Sequence, residues 1–283
     1  MIINILIAIV YGTVEGICEW LPISSTGHLI LLEEILPIEL GEKYGENFSE
    51  VFRATFDVVV QLAAVAAIPI IYRKDLFSLS NDAHKLRAKI LVATLPAAII
   101  GLLADALCEK IFGADLSSVL FRAEVVAIAL IVYGILFILI ERATAKRKNE
   151  YSDISFRKAL AIGFFQSLAL VPGTSRSGAT ILGARILKTE KNSAAEFSFF
   201  AAIPVICAAS ALKILDLARY MSTHRTPMPS DCTVFIAVAS LTAFAVSVCS
   251  VKFLIEFIRR HSFAPFGVYR IALGLLVLAH KVL

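Results

Sequence analysis

The sequence predicts an all-α integral membrane protein, laid out as an inverted-topology repeat of six transmembrane helices plus two re-entrant helix pairs. Three observations carry that prediction: an apolar composition, two polar motifs set inside hydrophobic segments, and basic residues clustered in alternate connections. Of 283 residues, 58% are hydrophobic and 18% charged, and the mean hydropathy is +0.81. That exceeds the apolar share of ordinary soluble domains.

A helix crossing the bilayer core needs about 20 apolar residues. Runs of that kind place spans near 52–72, 88–108, 119–140, 193–215, 233–255 and 263–282. Two further apolar segments, 2–36 and 159–187, are interrupted by Pro22 and by Pro172 with Gly173. Proline removes a backbone donor and clashes with the preceding turn, so each segment reads as two helices that enter and turn back. The amino terminus lacks a basic leader and a small-residue cleavage site, and is expected to belong to the fold. The whole chain, 1–283, reads as a single membrane domain.

Basic residues set the orientation. The connection 73–87 carries Arg73, Lys74, Lys85 and Arg87, and 141–158 carries Arg142, Lys146, Arg147, Lys148, Arg157 and Lys158. Both are expected on the cytoplasmic side. The segment 33–50 holds six glutamates against Lys43, and 109–118 has Lys110 alone, so these are expected outside. Re-entry of 159–187 keeps the next cluster, Arg185, Lys188 and Lys191, inside. The halves 1–140 and 155–283 then run inverted. Sliding one motif onto the other by 151 positions aligns Gly12 with Gly163, Ser24 with Ser175 and Gly27 with Gly178.

The motifs themselves are EGICEWLPISSTGH at 15–28 and PGTSRSGAT at 172–180. Polar groups at membrane depth are costly unless they line a protein-enclosed cavity. Ser24, Ser25, Thr26, Ser175 and Ser177 precede apolar helical runs, where they can cap helix starts. A helix N-terminus suits a phosphate, and two facing ones suit a diphosphate. Arg176 offers a planar fork matched to phosphate oxygens, or a structural ion pair with Glu15 or Glu19. Glu15 and Glu19 share one helix face, where two carboxylates either repel, raising the pKa of one, or share a divalent cation. His28 can serve as general base or acid, with Ser25 or an activated water as nucleophile. Asp57, Gln61, Glu196, Ser198, Tyr269 and Arg270 are further intramembrane polar residues that reach the site or brace it.

A net charge of +4 with no basic stripe interleaved with aromatics implies no nucleic-acid partner. The five cysteines have no metal-ligand spacing and are expected as buried small hydrophobes. Inverted repeats with broken helices also suit a secondary transporter or a polyprenyl-phosphate flippase, which is the rival function.

The two motifs, with AAEFSFFAAIP and SFAPFGVYR, closely resemble signature segments of the undecaprenyl-diphosphate phosphatase family of the bacitracin-resistance type. The likeness runs from residue 15 to about 270. It implies hydrolysis of a polyprenyl diphosphate to the monophosphate, recycling the carrier lipid for cell-wall glycan synthesis. It implies catalytic roles for Glu19, Ser25, His28 and Arg176, with Ser24, Thr26, Ser175, Ser177 and Thr180 around the substrate alongside Glu15. A divalent cation, Mg²⁺ or Ca²⁺, is implied at Glu15 and Glu19. The resemblance also places the protein in the cell membrane with its site open to the outer face; a homodimer is left open.

Overall fold

The computed structural model describes residues 2–113, 116–120, 122–145, 150, 152–225 and 227–282. Lys146, Arg147 and Lys148 of the expected cytoplasmic cluster, and Phe121 of the expected 119–140 span, lie outside the described residues. Among the described residues the chain is helical without strands. Among the described residues, five helical stretches are long and apolar enough to cross a membrane: α3 (Glu46–Val65) running on through α4 (Ala67–Ile71), α6 (Asn81–Phe112), α8 (Ala123–Thr144), α11 (Lys191–His224) and α12 (Ser230–Arg260). The sixth expected span, 263–282, falls on α13 (Ala264–Val282), a helix whose apolar stretch Ala264–Ala279 is shorter than those five. Short helices α5 (Arg73–Phe77) and α7 (Leu116–Leu120) sit in connections.

Both interrupted segments resolve into helix, break and helix. The first is α1 (Ile2–Cys18) and α2 (Ser25–Ile35); the second is α9 (Phe156–Ser167) and α10 (Arg176–Ile186). At 11 residues each, α2 and α10 extend roughly 16 Å, about half of a bilayer core. The breaks fall at Pro22 and at Pro172 with Gly173, where Gly173 takes a φ of 88°.

The helices pack as α1 on α12, α9 on α6, α3 on α11 and α8 on α13. Small residues make this possible, since lipid supplies no hydrophobic force between helices and close van der Waals approach must do so. A Cβ on Gly12 would stand 2.3 Å from the Ala239 carbonyl oxygen, and one on Gly163 2.5 Å from that of Ala93. The two residues aligned in sequence thus play the same role, each letting the first helix of a broken pair press its backbone against a long helix.

Arg185 is buried, although the orientation argument treats it as a loop charge. It donates to Glu141 Oε1 at 3.2 Å, Glu150 Oε1 at 2.7 Å and the Thr189 carbonyl at 2.8 Å, and Glu141 Oε2 accepts from the Phe263 N–H. The cysteines also divide. Cys18 and Cys232 are buried as expected, whereas Cys207 and Cys249 lie exposed on spanning helices.

Candidate active site

The two breaks meet, and each is turned by a serine. Ser24 and Ser175 hold φ of 77° and 68°, a left-handed conformation that non-glycine residues rarely adopt. Each caps the helix that follows: Ser24 Oγ accepts from the Gly27 N–H and Ser175 Oγ from the Gly178 N–H. The strain of these turns, on the order of 1–3 kcal/mol each, is sustained by the packing around them. Arg270 supplies much of that packing. It is fully buried, and its guanidinium donates to the carbonyls of Pro22 at 3.1 Å, Gly173 at 2.7 Å and Thr174 at 2.9 Å. One cation thereby ties both breaks together.

A cavity of about 210 Å³ lies between the turns. Glu19, Ser24, Ser25, Thr26, Ser175 and Arg176 line it, with Gln61 and Gln166. Glu19 is its organising group. One carboxylate oxygen accepts from Ser25 Oγ at 2.7 Å, and the other from Arg176 Nη2 at 2.9 Å. Arg176 also donates to the Ser198 carbonyl at 2.8 Å, while its Nε has no partner among the described residues. The expected ion pair of Arg176 is therefore with Glu19.

Other expected site residues stand behind this surface. Ser177 Oγ donates to the Glu19 carbonyl at 3.2 Å, which joins the two breaks directly. Thr180 bonds to the Arg176 carbonyl at 2.9 Å and to Ser198 Oγ at 2.6 Å. Glu15 is fully buried beside Glu19, Asp57 and Arg176, and among the described residues neither of its carboxylate oxygens has a partner at hydrogen-bond geometry. Among the described residues no cluster of three or more His, Cys, Asp or Glu side chains forms a ready metal cage. His28 does not line the cavity. Its Nδ1 lies 2.8 Å from the Ser24 carbonyl and its Nε2 2.6 Å from the Tyr269 hydroxyl.

A larger chamber of about 670 Å³ adjoins the cavity, sharing Thr26 and Gln61. Leu29, Ile30, Ile38 and Val58 give it apolar walls, and Glu33, Glu34, Arg53, Asp57 and Lys213 are its charged groups. Arg53 bridges Glu33 and Glu42, both at 2.9 Å, fastening the 36–45 connection over that end. Of the outlying polar residues singled out in sequence, Glu196 is not brought here; it lies with Lys89 and Asp153 in a small separate cavity.

Comparison with known proteins decides the family. The family described as "Bacitracin resistance protein BacA" matches residues 8–276. The chain belongs to the BacA family. Relatives in that family include "Undecaprenyl-diphosphatase 1" of Clostridioides difficile (strain 630), 40% identical over 99% of this chain and 97% of the relative. "Undecaprenyl-diphosphatase" of Acetivibrio thermocellus is 42% identical over 96% of each chain. "Undecaprenyl-diphosphatase" of Enterococcus faecalis is 42% identical, covering 98% of this chain and 96% of its own. In this BacA-family chain sequence reasoning missed two features of the site. Gln166 is buried and donates to the Ala93 carbonyl; its alignment with Glu15 at the repeat offset was the available signal. The Arg53 bridge has no local pattern that marks it.

Proposed function

We propose that this chain is an integral-membrane phosphatase that hydrolyses undecaprenyl diphosphate, or a close polyprenyl relative, to the monophosphate and inorganic phosphate. The observation that carries the reading is Glu19 held between Ser25 Oγ and Arg176, in a family whose curated relatives are named for that activity. Such a product recycles the carrier lipid and opposes bacitracin. The relatives' names favour hydrolysis over the transporter reading.

In the reaction, Arg176 and the N-termini of α2 and α10 hold the diphosphate and stabilise charge at phosphorus, the main task of phosphoryl transfer. Ser25 Oγ attacks the terminal phosphorus as Glu19 takes its proton. The bond to the bridging oxygen breaks, and the lipid monophosphate leaves. Water then attacks the phosphoserine, Glu19 returns its proton to Ser25 Oγ as the P–O bond breaks, and phosphate leaves with both residues restored. Glu15 fits a divalent cation, because two buried carboxylate oxygens without partners suit a hard ion. Glu15 and Glu19 would hold it. When bound, the cation would neutralise charge on the diphosphate.

The fold reading is an inverted repeat with two re-entrant pairs. Its support is the equivalent Ser24 and Ser175 caps, the equivalent Gly12 and Gly163 contacts, and the packing of α1 on α12 answered by α9 on α6. The chamber's end at Glu33 and Arg53 lies by the acidic 33–50 segment, which supports access from the outer face of the cell membrane.

Phosphate release from a polyprenyl diphosphate in detergent tests the function. Wild type is expected to release phosphate, EDTA to abolish release, and Arg176→Ala to lower kcat by about 10³-fold or more. Folded wild type that releases none, across several chain lengths, would move the transporter reading to the front.

A further inference from the structure

His28 and Tyr269 are 241 positions apart in sequence yet form one unit at the first break. Their rings stack with an interplanar angle of 2° and centroids 5.6 Å apart. The partners define the tautomer. A backbone carbonyl only accepts, so the Ser24 oxygen, 2.8 Å from Nδ1, requires the proton on Nδ1. In the neutral ring Nε2 is then an acceptor, and it receives the Tyr269 hydroxyl at 2.6 Å. Both ring nitrogens are occupied, and Ser25 Oγ is directed to Glu19 instead.

The residue that His28 grips is Ser24, whose left-handed turn immediately precedes Ser25. Next to Tyr269, Arg270 grips the Pro22, Gly173 and Thr174 carbonyls. Successive residues of α13 thus secure the turn on both sides of Ile23.

We propose that Tyr269 is a positioning residue for the phosphatase reaction: through His28 it fixes the Ser24 carbonyl, and with it the turn that presents the Ser25 hydroxyl to Glu19. His28 acts in this chain as a neutral link and not as the general base expected from its motif. The inference rests on the phosphatase reading and specifies how its nucleophile is aimed.

The test compares Tyr269→Phe, His28→Asn and the double variant in detergent, with phosphate release from a polyprenyl diphosphate as readout. An asparagine amide nitrogen can take the place of Nδ1 and donate to Ser24, but cannot reach Tyr269. Each single variant is expected to lower kcat about three- to tenfold, the worth of one neutral hydrogen bond. KM should hardly move. The double variant should lose no more than the worse single, because both act through one link, and the pH profile of kcat should keep its wild-type limbs. A loss of about a hundredfold or more in folded His28→Asn, with a limb missing from the pH profile, would make His28 a general acid or base and overturn the proposal. So would wild-type kcat in Tyr269→Phe, which decides the matter even if His28→Asn does not fold. Failure of wild type to release phosphate would instead overturn the phosphatase reading on which the proposal stands.

Discussion

Replacing Glu19 by glutamine separates folding from chemistry at this site. Glu19 is 6% exposed, with one oxygen 2.9 Å from Arg176 Nη2 and the other 2.7 Å from Ser25 Oγ. A guanidinium has only donors, so the new amide must turn its oxygen to Arg176 and its NH₂ to Ser25. Ser25 then accepts where it formerly donated, and nothing takes its proton. Loss of a general base costs about 10²–10⁴-fold in kcat, equivalent to roughly 3–5 kcal/mol of barrier. The fold bears a smaller, separate cost. The side chain keeps its shape and still accepts from Arg176, but the Ser25 bond becomes a neutral one and the Arg176 ion pair loses its negative member, together about 1–3 kcal/mol. Purified Glu19→Gln should therefore elute as folded protein with a lowered melting temperature while releasing phosphate at least about a hundredfold more slowly. Raising Mg²⁺ or Ca²⁺ should not restore the rate. A kcat within tenfold of wild type, or recovery on adding cation, would refute Glu19 as the base for Ser25.

Glu15→Gln addresses the cation. With no protein partner lost, the variant should fold, but the divalent concentration giving half-maximal activity should rise at least about tenfold, read from a cation titration. Gly12→Ala and Gly163→Ala drive a Cβ to 2.3 and 2.5 Å from the Ala239 and Ala93 carbonyls; each should destabilise by about 1–3 kcal/mol, seen as a lowered melting temperature in detergent. Arg185→Met removes the cation paired with the buried Glu141 carboxylate, whose remaining side-chain partner among the described residues is the Phe263 N–H. It should cost about 3–5 kcal/mol by the same melting assay.

Much of the site is legible locally. Pro22 and Pro172 with Gly173 announce the breaks, and the serines after them announce the helix starts, because capping and proline geometry act within a few residues. The division of labour between Glu15 and Glu19 is not legible. Spaced four apart they share a face, but α1 ends at Cys18, so Glu19 falls in the break and reaches Ser25 and Arg176 while Glu15 stays sealed in the helix. Arg185 misleads for a related reason. A basic residue near the end of an apolar run looks like a loop charge until Glu141 and Glu150, which neutralise it, are brought to its side.

By itself the sequence determined that this protein lives in a membrane, where its spans lie, where two of its hydrophobic segments break, and which residue types gather at those breaks. These follow from hydropathy, from backbone sterics and from capping, all of which act along the chain. Only the tertiary structure decided which groups meet: Ser25 with Glu19, Glu19 with Arg176, His28 with Tyr269, and Arg270 with the carbonyls of both turns. Those pairings join residues as far apart as 248 positions. They exist because helices without a hydrophobic force between them dock wherever small residues permit close approach and buried polar groups find partners.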